Sequence, residues 1–117
     1  MNTIVVGVDG SACSDAALRF AVEEAALRKA KLRIVSAWEV PTAAYGAGFA
    51  PVDSQLFESF RLRAEAVVEE AAEAVRSREP QVELETRVEE GQPAAVLLES
   101  ARDATLIVVG TRGLGGF

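Results

Sequence analysis

Histidine is absent from the 117 residues. Its absence removes Ser–His and Cys–His nucleophile pairs, and the common imidazole metal sites with them. The single cysteine, Cys13, cannot close an internal disulfide, so a reducing cytoplasm is the expected setting. Cations are in the minority, 12 Lys and Arg against 18 Asp and Glu. A net charge of −6 argues against a nucleic-acid or acidic-membrane partner, because both demand a surplus of Lys and Arg on one face. No apolar stretch approaches the ~20 residues that span a bilayer. The opening MNTIVVGVDG has no basic n-region and breaks at Gly7, so no signal peptide is expected in it. Two phosphate-binding signatures are also missing. Nothing after the first apolar run matches G-x-x-x-x-G-K-[ST], and GVDGSACSD fails the spacing G-x-G-x-x-G. A receiver domain would want a phosphorylatable aspartate after its third strand, where this chain has Glu89, Glu90 and Gly91.

What remains is an ordinary globular composition, 50% hydrophobic and 26% charged, in one domain long enough for a real core. The period of the apolar residues switches repeatedly along it. TIVVGVDG is a short β-branched run closed by glycine, which predicts a strand buried on both faces. SDAALRFAVEEAALRKA has Ala17, Leu18, Ala21, Val22 and Ala25 at helical spacing, with Ser11 or Ser14 as N-cap. KLRIVSAW predicts a second strand. Residues 39 to 52 carry two prolines, two glycines and no period, which predicts a long loop of the kind that forms lids.

Asp53 is placed to cap a long helix reaching about Arg78, with Leu56, Phe60, Ala64, Val67, Val68, Ala71 and Val75 on one face. The acidic stretches of that helix read as its solvated side. Pro80 ends it. VELETRV alternates, Val82, Leu84, Thr86 and Val88 against Glu83, Glu85 and Arg87, which predicts an edge strand with one buried face. Pro93 suits the first turn of a third helix ending near Ala101, and TLIVVG is a fourth, wholly apolar strand.

The order β-α-β-α-β-α-β forces right-handed crossovers and a parallel sheet covered by helices on both faces. Such sheets bind ligands outside the carboxyl ends of their strands, where the strand order reverses. GVDGS after the first strand and GTRGLGGF after the fourth suit that place, provided the two strands are neighbours. Glycines at 110, 113, 115 and 116 let a backbone approach phosphate oxygens and offer its N–H groups as an anion nest.

TIVVGVDGS, EGQPAAVLLESA and LIVVGTRGLGGF together resemble the universal stress protein family, and the similarity runs through the whole chain. The resemblance implies a three-layer Rossmann-like α/β sandwich, close to the adenine nucleotide alpha hydrolases, with strand order 3-2-1-4-5. It implies that residues 1–117 form a single domain lacking its final strand and helix. It further implies a small ATP-binding regulatory protein of the stress response, with Mg as part of the nucleotide complex and no efficient enzymatic activity. The alternative is the branch that binds no nucleotide and works through protein partners. A homodimer, or pairing of tandem domains, is expected where a fifth strand is present.

Site residues carry over by position. Asp9, with Gly7 just before it, matches the end of the first strand, where an acid meets adenine and ribose. Ala37 matches the position whose backbone pairs with the adenine edge. Gly110, Arg112 and Gly113 match the first half of the pattern Gly, two residues, Gly, nine residues, Gly followed by Ser or Thr. Thr105 departs from the acid common before this strand, and reads as surface variation. Local readings stand beside these roles. Asp9 also suits a helix cap, and GTRGLGGF a plain glycine-rich turn. Trp38 and Tyr45 suit packing and a lid. Cys13 lies at a helix start, where the dipole favours a thiolate.

Overall fold

The computed structural model describes residues 2–40 and 54–110. Their order is β1 (Thr3–Gly7), α1 (Ala12–Arg28), β2 (Lys31–Trp38), α2 (Ser54–Arg78), β3 (Leu84–Glu90), α3 (Pro93–Ser100) and β4 (Leu106–Val108). The four strands form one sheet in the order β3-β2-β1-β4, and all neighbours run parallel. Strand order therefore reverses between β1 and β4, as the family resemblance implies.

Alternation along β1 explains its unbroken apolar run. Ile4 and Val6 point to one face, where with Leu32 and Ile34 they meet α1 and α2. Val5 points to the other, where with Val35 it meets Val96, Leu97 and Ala101 of the α3 layer. Both faces are dry, so every β1 position is buried. Each such Val, Ile or Leu contributes roughly 1.5–3 kcal/mol relative to exposure. The apolar stripe predicted for α2 is the one it buries. Ala64, Val68, Ala71 and Val75 are enclosed, with Ala72 beside them. Asp53 lies outside the described residues.

β3 is an edge strand, but it begins at Leu84 rather than Val82, and its two faces differ from the alternation expected of it. Val82, Leu84 and Val88 pack on the core, while Thr86 is exposed. Glu85, expected in solvent, is half-buried because it meets Arg33, which is only 3% exposed in the middle of the sheet. The Arg33 guanidinium donates to Glu85 Oε1 at 2.6 Å, to Asp103 Oδ1 at 2.8 Å and to the carbonyl of Ser100 at 2.6 Å. It thereby occupies the negative end of α3 and ties that helix to two strands. The arginine keeps the Asp103 carboxyl down at about 2 and also lowers that of Glu85, chiefly through these hydrogen bonds.

Candidate functional site

The crevice at the reversal point is built from the β1–α1 turn, the end of β2 and the end of β4. Its centre is a hydrogen-bonded turn over Asp9–Ser14. Asp9 Oδ1 accepts from the Ser11 N–H at 2.9 Å, and the Asp9 N–H donates to Ser14 Oγ at 3.3 Å. Ser11 is the N-cap of α1, its Oγ accepting from the Ser14 N–H at 3.2 Å, which settles the choice left open between the two serines. Ser14 Oγ in turn donates to the Ser11 carbonyl at 3.1 Å. Asp9 thus stands two residues before the cap, holding the turn rather than capping the helix. Gly10, at φ +85°, supplies the left-handed bend between them. The result is a fixed helix N-terminus, with its positive dipole end and leading N–H groups at the mouth of the sheet.

Gly110 lies at the end of β4 directly against that first turn. A Cβ there would stand 2.3 Å from the Cys13 carbonyl oxygen, nearer than any atoms can sit. Only glycine lets the end of β4 reach α1 so closely. Gly7 has a parallel constraint on the opposite face, where a Cβ would meet Leu97 Cδ1 at 2.8 Å. At both positions the structure shows a packing demand from a neighbouring helix.

Ala37 stands two residues beyond Val35, the last β2 residue paired with β1. The Val35 carbonyl accepts from the Val8 N–H, so it points toward β1. Strand alternation gives the Ala37 N–H and carbonyl that same direction, into the space β1 vacates when it turns at Asp9. Trp38 points its carbonyl the other way, to the Gly91 N–H, and its ring meets Phe57 edge-on at 6.3 Å. That is the packing role expected of it.

The structure therefore brings Asp9, Ala37 and Gly110 to one crevice and turns Gly7 toward α3. Arg112, Gly113 and Tyr45 lie outside the described residues. Cys13 is partly exposed and contributes its backbone to the Gly110 contact. The Ser11–Ser14 pair escaped the sequence reading as a unit. Its signal was two serines three apart just after Asp-Gly, the spacing at which one caps and the other closes the turn. Among the described residues no helix is long and apolar enough to cross a membrane.

Comparison with known proteins agrees with this fold. The Universal stress protein family pattern matches residues 1–117. The chain is 36% identical over 117 residues to Universal stress protein Rv2624c of Mycobacterium tuberculosis, covering all of this chain and 40% of that protein. It thus spans less than half the length of the curated relatives it matches. A solved universal stress protein in complex with cAMP superposes with a TM-score of 0.71 at 32% identity, over 99% of this chain and 80% of that one. The universal stress protein from Archaeoglobus fulgidus in complex with dAMP gives 0.65 at 27%, over 97% and 83%. This chain belongs to the universal stress protein family.

Proposed function

We propose that this domain binds adenine nucleotides, ATP foremost, as a regulatory protein of the stress response and not as an efficient enzyme. The observation that carries the reading is the backbone of Ala37, directed into the crevice past the end of β1 and facing the N-terminus of α1. An N–H and a carbonyl side by side fit the donor–acceptor edge of adenine and not the reversed edge of guanine. Asp9 takes the ribose. The N-terminus of α1 and the glycine-rich segment with Gly110, Arg112 and Gly113 take the phosphates, by helix dipole and backbone N–H groups. Solved relatives that hold cAMP and dAMP support the adenine-plus-phosphate chemistry. Among the described residues there is no group of three or more Cys, Asp or Glu suited to a metal. Magnesium enters on the nucleotide's own phosphates, where it neutralises their charge. A cytoplasmic homodimer, or a tandem pair of such domains, completes the proposal.

One observation favours a second reading. Gly7 and Gly110 each face a neighbouring helix at close range, so packing accounts for both glycines without a ligand. The partner-only branch of the family would carry the same two residues. Isothermal titration of the full chain with ATP and with GTP, each with Mg2+, separates the readings. Heat with ATP alone supports the adenine site. Equal affinities for both nucleotides would sink it, and no heat with either leaves the partner-only branch.

A further inference from the structure

On the α1/α2 face of the sheet the two helices part to leave a groove of ≈ 680 Å³. That lies within the ~300–1,000 Å³ of ligand sites. Its floor is apolar, built from Val8, Leu18, Val22, Val67 and Val75. Three arginines stand along it, Arg19 on α1 and Arg63 and Arg78 on α2. These three differ from the other arginines of the described residues. Arg28, Arg33, Arg61, Arg76, Arg87 and Arg102 each lie within 3.9 Å of a carboxylate oxygen. Arg19, Arg63 and Arg78 make no ion pair among the described residues, and all three line this one groove. Acids are present too, but each has another setting. Asp9 belongs to the β1–α1 turn, and Asp15 to the first turn of α1, where it offsets the dipole. Glu70 lines the groove and also borders the outer surface of α2, which it shares with Glu69 and Glu73.

We propose that this groove binds a single-chain amphiphile with an anionic head, a carboxylate or a phosphate monoester. Its chain lies on the valine and leucine floor, and its head is taken by these guanidinium groups, which are suited to bidentate binding of either anion. Arg63 and Arg78 are about 22 Å apart along α2, at about 1.5 Å per residue. An extended chain thus has a cation near either end. This site is separate from the nucleotide crevice and does not depend on it, although Asp9 and Gly10 border both.

The test is isothermal titration of the full chain, below the micellar concentration, with dodecanoate, dodecyl phosphate, dodecylammonium and inorganic phosphate. Either dodecyl anion should bind, and the preferred one identifies the head. Dodecylammonium and inorganic phosphate should bind at least tenfold more weakly. Arg63→Gln should lower anion affinity about tenfold, the worth of one charge-assisted hydrogen bond. Ala74→Trp, at an exposed position on the groove wall, should abolish it by filling the space, with the circular dichroism spectrum unchanged. The proposal is overturned by no binding of either anion, by equal binding of dodecylammonium or inorganic phosphate, or by wild-type affinity in a folded Ala74→Trp variant.

Discussion

At the scale of single residues, Gly7 and Gly110 make a contrast that experiment can use. Gly110 abuts the Cys13 backbone, which cannot yield without moving the first turn of α1. Gly7 abuts the far end of the Leu97 side chain, which has rotamers to yield with. Gly110→Ala should therefore destabilise by about 1–3 kcal/mol through overpacking and abolish ATP binding by displacing the chain at the end of β4. Gly7→Ala should cost less and keep affinity near wild type. Melting curves with titration of ATP check both; binding lost in Gly7→Ala but kept in Gly110→Ala reverses the assignment. Ser11→Ala removes the α1 cap and should cost about 1 kcal/mol, readable as a lowered urea midpoint at unchanged slope. The candidate residues at strand ends were legible from glycine and acid placement after apolar runs. What made them glycine was not, because Cys13 and Leu97 are distant in the chain and meet these positions only once the layers assemble.

At the scale of elements, helices and strands were legible because apolar spacing differs between the two kinds of packing. Arg33 was not. In KLRIVSAW the charges at 31 and 33 alternate with Leu32 and Ile34, the pattern of a strand with one wet face. The guanidinium is instead enclosed, because Glu85 on β3 and Asp103 after α3 fold over it from opposite sides. Neither partner is near it in sequence. The network has a pH signature of definite sign. Asp103 titrates at about 2 in the folded chain against 3.8 ordinarily. Glu85 is shifted the same way, held down by Arg33. A carboxyl with a depressed folded pKa stabilises above its unfolded value and loses that contribution as pH falls through the folded one. Asp103→Asn should accordingly melt below wild type at pH 7. The difference should close between about pH 4 and pH 2, where the wild-type carboxyl protonates. A gap that persists unchanged to pH 2 would assign the effect to shape and not to charge.

At the scale of the whole molecule, nucleotide choice should appear as stability. The crevice joins β1, β2, α1 and β4, so a ligand seated there binds the folded chain and not the unfolded one. Mass action then adds roughly 2.7 kcal/mol when ATP stands at a hundred times its dissociation constant. For a chain of this length the shift in melting temperature is on the order of 10 °C. GTP at the same concentration should give much less, because its base edge presents a donor where the Ala37 N–H needs an acceptor. The shift should survive Arg33→Met, since Arg33 lies on the α3 face away from the crevice. It should vanish in Gly110→Ala even after the variant's own lower baseline is subtracted. An equal gain from ATP and GTP would show that phosphates bind at α1 without the base being read. A gain retained in Gly110→Ala would place the nucleotide away from the end of β4.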